Sequence, residues 1–292
     1  MLKIIPDIHA DVDRLNRSLN ASAQFDQVAF LGDFIDGNPA GKSDDLAVLK
    51  QARLLISSGR AISVLGNHEL NAILFHTLGN DGNPLRAHSN KNCNQHRTFL
   101  DQFGACTPEA LEWTEWFLTL PLWIDLKAVR LVHACWSDPA ISIIAARRPD
   151  GKLRREDLQE VAQKSSPFGQ AVEKILSGPE AALPPGYDFA DSRHHRRNHV
   201  RLAWWRSNSL TWRKAALSVP FVDELPAGDL PRELEQDMYP MDAPPVLVGH
   251  YKMAGLPAID SPRASSIDYP ATPCVYLWQG ESALTDRNLI KL

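Results

Sequence analysis

Five times along the chain a short apolar run breaks abruptly into polar residues. The runs are "KIIPDIH", "VAFLGDFID", "ISVLGNHE", "VRLVHA" and "PVLVGH". A continuous apolar run of this length predicts a strand buried on both faces, and its polar end a loop at the rim of a sheet. Segments of helical spacing lie between the first three. "ADVDRLNRSLNAS" sets Val12, Leu15 and Leu19 on one face. "SDDLAVLKQARLLISSG" does the same with Leu46, Leu49, Ala52 and Leu55, and Ser43 is the expected N-cap. This β-loop-α repetition predicts an α/β sheet that begins with parallel strands. Ligands gather at the loops that follow such strands.

Beyond the third strand the pattern changes. "ELNAILFHTL", "HRTFLDQFG" and "PEALEWTEWFLTLP" predict helices, with Trp113, Trp116 and Phe117 at core spacing. "GNDGNPLRAHSNKNCNQH" predicts a polar loop, either a substrate lid or a plain connection. "WIDLKAVRLVHACW" predicts two strands about a turn, and the C-terminal segment a closing hairpin or meander. Residues 140–240 depart from the β-loop-α pattern. They hold helical segments, a Pro/Gly-rich "GPEAALPPGYDF" and a basic "SRHHRRNHVRLAWWR". A single domain, 1–292, is expected, with 140–240 inserted as a cap.

Composition narrows the class. The chain has 292 residues, 44% hydrophobic and 23% charged, with a formal net charge of −4. Length and apolar content suffice for a full core. The charge gives no reason to expect a nucleic-acid partner, and no apolar run is long enough for a membrane span. The start "MLKII" is too short for a signal-peptide core. Cys93, Cys106, Cys135 and Cys274 are scattered, without a C-x-x-C pair. Together these predict a cytoplasmic protein rather than a disulfide scaffold or zinc knuckle.

The five strand ends present Asp7, His9, Asp33, Asp36, Asn67, His68, His133 and His250. Carboxylate, amide oxygen and imidazole are borderline-hard ligands, suited to Mn²⁺, Fe or Zn²⁺. A shared carboxylate flanked by His and Asp is also the pattern of two-metal phosphoryl-transfer sites. The ordered set D-x-H, G-D-x-x-D, G-N-H-E, V-H-A, G-H resembles the calcineurin-like metallophosphoesterase superfamily. Within it, the closer likeness is to the phosphoprotein-phosphatase branch and its bacterial relatives, Ser/Thr phosphatases and diadenosine tetraphosphatases.

The resemblance implies an α/β fold: a four-layer sandwich of two mixed β-sheets flanked by helices. It implies two divalent metals, Mn foremost, with Fe or Zn as alternatives. Asp7 and His9 would hold the first, Asp33 would bridge, and Asn67, His133 and His250 would complete the second. His68 would be the general acid, oriented by Asp36, and a metal-bound hydroxide the nucleophile. The expected reaction is hydrolysis of a phosphomonoester in a phosphorylated small molecule, nucleotide or phosphoprotein. The alternatives are a dinucleoside polyphosphate hydrolase, a phosphodiesterase and a non-catalytic metal-binding scaffold.

The chain also departs from the family pattern. Pro6 and Ala10 stand where glycines are usual. The phosphatase branch continues its second motif as Asp-Arg-Gly, and that Arg clamps the substrate phosphate. Here Asp36 is followed by Gly37 and Asn38. Arg86, Lys91, Arg97, Arg206 and Lys252 are the candidate replacements, arginine being favoured because its guanidinium grips phosphate bidentately. His194, His195 and His199 read as a solvated basic loop in preference to a third metal site. Trp204 and Trp205 read as packing in preference to base stacking, and Cys135 as a buried residue. Asp268 and Tyr269 could support the site from behind.

Overall fold

A computed structural model describes residues 1–292 apart from 23–24, 192–193, 207–210 and 236–237. Two mixed sheets form its centre. The first orders the strands Leu289–Lys291, Cys274–Trp278, Leu2–Ile5, Gln27–Phe30 and Ala61–Ser63. Its last three strands are parallel, and Cys274–Trp278 runs antiparallel to both of its neighbours. The second orders Ala264–Ser266, Val246–Val248, Arg130–Val132 and Trp123–Asp125, with only the last strand antiparallel.

The strands divide their side chains with period two, as the pleat requires. Ile4, Ala29 and Leu31 of the first sheet meet Leu131 and Leu247 of the second in one apolar layer. The intervening residues Ile5, Val28, Phe30, Val132, Val246 and Val248 join the cluster that holds Leu15, Leu49, Leu55, Phe117 and Ile175 from the helices. The inner strands of both sheets are therefore buried on both faces, which explains why they read as unbroken apolar runs. This is the predicted sandwich. Each such buried side chain contributes about 1.5–3 kcal/mol of transfer free energy.

Local differences from the sequence reading have simple causes. The second helix spans Asp45–Ser57 and is capped by Asp44, whose side chain accepts from the Ala47 N–H. Ser43 is not the cap; its hydroxyl donates to the Asn38 carbonyl. The polar stretch after the G-N-H-E helix contains a helix of its own, Asn90–Gln95, capped by Ser89. Its face is polar, so apolar periodicity gives no sign of it. Ala264–Ser266, a strand at the front edge of the expected C-terminal meander, pairs instead in parallel with Val246–Val248 in the other sheet.

The segment 140–240 contains two kinds of structure. Helices Asp138–Arg147, Leu158–Gln163 and Pro167–Ser177 place Ile144, Val161 and Ile175 in the main core. Trp204 and Trp205 are buried there too, donating their indole N–H groups to Ala134 O and Asp260 Oδ2. The base-stacking alternative is thereby excluded for both. A separate apolar cluster, with Leu183, Val200, Leu202 and Leu225, surrounds a three-stranded sheet of Glu180–Ala182, His199–Leu202 and Ala216–Leu217.

Candidate metal centre

The five polar strand ends converge on one rim of the sandwich. Asp7 and His9 follow Leu2–Ile5, Asp33 and Asp36 follow Gln27–Phe30, and Asn67 and His68 open the helix Asn67–Phe75 after Ala61–Ser63. His133 follows Arg130–Val132, and His250 follows Val246–Val248. Asn67 Oδ1 lies 2.9 Å from His133 Nε2 and 2.8 Å from His250 Nδ1. Asp33 Oδ2 lies 3.4 Å from His133 Nε2 and 3.9 Å from His68 Nε2. His9 Nε2 is 3.7 Å from Asp7 Oδ2. Asp7 is held in turn by the backbone N–H of His250, at 3.0 Å from Oδ1.

The backbone here is bent into conformations that L-residues seldom adopt. His9, Ala10, Asp33, Asp36 and His250 all have φ between +51° and +64°. Each such residue costs about 1–2 kcal/mol, and such residues persist where the surroundings overdetermine them. Glu69 is a large part of those surroundings. One of its carboxylate oxygens accepts the N–H groups of Asp33 and Gly66, and the other accepts that of Phe34, at 2.8–3.1 Å. The last residue of G-N-H-E thus clasps the neighbouring strand end, a role the sequence reading left unassigned. Gly66 is obligatory beside it, because a Cβ there would collide with Asp33.

Backbone carbonyls fix the orientation of two of the histidines. His9 Nδ1 bonds the Ile35 carbonyl at 3.2 Å, and His133 Nδ1 bonds the Leu31 carbonyl at 2.7 Å. A carbonyl only accepts, so both rings carry a proton on Nδ1, which leaves Nε2 as the atom facing inward. His250 Nε2 is buried without a hydrogen-bond partner. Ligand atoms of His9, Asp33 and His68 lie within 4.8 Å of one another, as do those of Asp33, His133 and His250. Asp7 and Asp33, both buried, demand compensating positive charge. Burial and the neighbouring Asp33 raise the pKa of Asp7, while His133 and His68 outweigh burial and hold Asp33 well below the carboxylate range. Nitrogen and oxygen donors around buried carboxylates fit divalent cations.

His68 stands slightly apart. Its Nδ1 is 2.7 Å from Asp36 Oδ2, which leaves Nε2 facing the centre. Burial opposes charge on this ring, but Asp33 and Asp36 outweigh it and push the pKa up to about 9. Asp36 bonds a second imidazole that the sequence reading missed: His96 Nδ1 is 2.6 Å from Oδ1. Burial is again outweighed, here by His96 and His68, and the Asp36 carboxyl stays below its usual range. Behind the centre Arg14 reaches Asp268 at 3.0 Å, both buried.

A cavity of about 820 Å³ opens over these groups. Lys91 and Lys252 line it, as do Arg197 and Arg201, which the sequence reading did not select. Its other three candidates are not among the residues that line the cavity. Arg206 pairs with Asp260 at 2.8 Å, Arg86 bonds Asn71 and Gln95, and Arg97 bonds Asn94. Asn94 and Gln95 from the unexpected polar helix also line it. Among the described residues the ligand clusters include none of His194, His195 and His199, which are exposed. Ser192 and Arg193 of that basic stretch lie outside the described residues.

Comparison with solved structures returns relatives of low identity. One is the crystal structure of a proposed diadenosine tetraphosphatase: TM-score 0.46, 15% identity, 99% of this chain and 92% of that one covered. Another is a protein serine/threonine phosphatase from Saccharomyces cerevisiae: TM-score 0.44, 13% identity, coverage 100% and 78%. A third is a cold-active protein-tyrosine phosphatase from a psychrophilic Shewanella: TM-score 0.42, 15% identity, coverage 97% and 79%. Comparison with curated proteins returns no match. The family model for calcineurin-like phosphoesterases matches residues 2–167. That span includes the strand ends carrying Asp7, Asp33, Asn67 and His133, and on it this chain belongs to the calcineurin-like phosphoesterase family.

Proposed function

We propose that this metallophosphoesterase is a phosphomonoesterase, acting on an anionic phosphorylated small molecule or a phosphoprotein. The 2.7 Å bond between Asp36 and His68 carries the reading. It turns His68 Nε2 toward the centre as the donor of a proton to the leaving oxygen. Cleaving a monoester with a poor leaving group needs such an acid. The cavity lining also favours this reading over a dinucleotide hydrolase. Among the described residues no Trp, Tyr or Phe lines it, so a base would lack the broad aromatic face on which bases stack best.

In this reading Asp7, His9 and Asp33 would hold one divalent ion, and Asp33, Asn67, His133 and His250 would hold the other. Manganese suits these donors, as do iron and zinc. Bound there, the ions would polarise the phosphoryl oxygens and lower the pKa of a water molecule. Asn67 contributes a neutral oxygen and so limits the negative charge. Lys91, Lys252, Arg197 and Arg201 take over the anion attraction that the missing Arg after Asp36 supplies elsewhere. The last two come from the 140–240 segment, which supports its role as a cap on a single domain. No helix of the described residues is long and apolar enough to cross a membrane. None of the four cysteines forms a disulfide, in keeping with a reducing compartment.

The test uses metal-stripped protein reloaded with Mn²⁺ and given an aryl phosphate monoester, the matching diester and diadenosine tetraphosphate. Metal-dependent cleavage of the monoester, abolished together with metal binding in Asp33→Asn, is expected. Cleavage of the dinucleotide or diester alone would overturn the proposal. So would metal binding with no turnover on any of the three, which is the behaviour of a scaffold.

A further inference from the structure

His96 and His76 lie outside the ligand set, yet a continuous chain of hydrogen bonds joins them to His68. Asp36 uses one carboxylate oxygen for His68 and the other for His96. His96 Nε2 lies 3.3 Å from His76 Nε2, and His76 Nδ1 lies 2.9 Å from the backbone N of Cys106. Both imidazoles are 4% exposed. One end of the chain has a fixed direction, because an amide N–H only donates. Cys106 therefore makes His76 Nδ1 an acceptor. The ring proton of His76 then sits on Nε2 and is donated to His96 Nε2. His96 carries its own proton on Nδ1 and donates it to Asp36. In a neutral imidazole one nitrogen donates and the other accepts, so a single backbone amide orders every bond up to the carboxylate.

We propose that His96 and His76 are positioning residues, forming a polarised relay that holds the Asp36 carboxylate in place and through it aims His68 Nε2 at the leaving oxygen. This rests on the assignment of His68 as the acid and deepens it. Asp36 needs such support. It sits at φ +64°, and its carboxylate torsion is set by what its two oxygens bind. His96 cannot easily turn away, since its ring is stacked on Phe99 with centroids 4.6 Å apart and planes 17° apart. Aromatic packing alone would bury these rings equally well, but a phenyl ring would serve it as well as an imidazole. The distinction is experimental.

The readout is kcat and KM of the Mn²⁺-loaded enzyme on an alkyl phosphate, with a poor leaving group, and on 2,4-dinitrophenyl phosphate, which needs no acid. His96→Phe is expected to lower kcat on the alkyl ester about 10–100-fold and to change the dinitrophenyl rate less than about 3-fold, with KM and metal content unchanged. His96→Asn, which returns a donor at the Nδ1 position, should recover most of the loss. His96→Gln, whose amide is one carbon further out, should not. Adding His76→Phe to His96→Asn should cost nothing more. Equal slowing of both esters by His96→Phe, or equal rates for His96→Asn and His96→Gln, would overturn the relay. The second comparison stands even where His96→Phe does not fold. His68→Asn is the control. If it shows the leaving-group dependence and His96→Phe does not, the relay alone falls. If His68→Asn lacks it as well, the acid assignment falls and the relay with it.

Discussion

Glu69 accepts the backbone N–H of Asp33 at 2.8 Å, across 36 residues of sequence. The bond ties the start of one helix to the end of the neighbouring strand, and with it two side chains of the candidate centre. Glu69 is fully buried, and burial together with the adjacent Asp33 raises its pKa to about 7. A buried carboxyl with three N–H partners holds backbone geometry rather than performing chemistry.

Replacing Glu69 with Ala leaves the N–H groups of Asp33, Phe34 and Gly66 without acceptors in a dry site. A loss of roughly 3 kcal/mol in unfolding free energy is expected. Metal affinity should fall on the order of 10–100-fold, because the strained Asp33 loop loses its support. Urea unfolding and metal titration of the same preparation check the two separately. Unchanged affinity would contradict the clasp.

Gly249→Ala should damage the site with little effect elsewhere. A Cβ at position 249 would collide with Asp7 Oδ1. The carboxylate would have to leave the His250 N–H that holds it. Loss of metal, measured by elemental analysis, is expected while the circular dichroism spectrum stays unchanged. Full metal content would show that Asp7 can move without harm.

Arg201 lines the cavity, and its Nε lies 3.2 Å from Glu180 Oε1. Arg201→Ala should raise KM for a dianionic monoester about fivefold, corresponding to about 1 kcal/mol, and leave kcat unaltered. The difference from wild type should shrink at high salt, as expected for screened charge attraction. A kcat effect without a KM effect would give Arg201 a different role.

Acid should weaken the fold through His76. Burial lowers its pKa to about 4, helped by His96 and His88 and opposed by Asp36. The unfolded chain takes up a proton near pH 6.5, whereas the folded site resists until about 4. Stability from this group is therefore complete above pH 6.5 and is lost as pH falls toward 4. Between pH 7 and 5 the unfolding free energy of wild type should drop by on the order of 1 kcal/mol more than that of His76→Gln. Equal drops in the two proteins would rule His76 out as the source.

Much of the centre is legible locally. Each apolar run followed at once by Asp, His or Asn marks a strand and what stands at its end, because the pleat and the turn act over neighbouring residues. Burial on both sheet faces makes the runs continuous, so Leu2–Ile5 and Val246–Val248 are visible without any partner in view. The helix Asn90–Gln95 is invisible for the converse reason, having no apolar face to announce it.

Contacts between distant segments follow another logic. The Asp36–His96 bond spans 60 residues and Arg14–Asp268 spans 254. No period or spacing relates such pairs, and each depends on how whole elements pack. The same holds for the cations: Arg206 and Arg201 look alike in the chain, yet packing sends one to Asp260 and the other to the cavity wall. The sequence by itself determined which chemical groups stand at the strand ends, since chain order and strand direction decide that. Only the tertiary structure decided which buried groups hold them there, because a hydrogen bond between remote residues exists only once the core has brought them together.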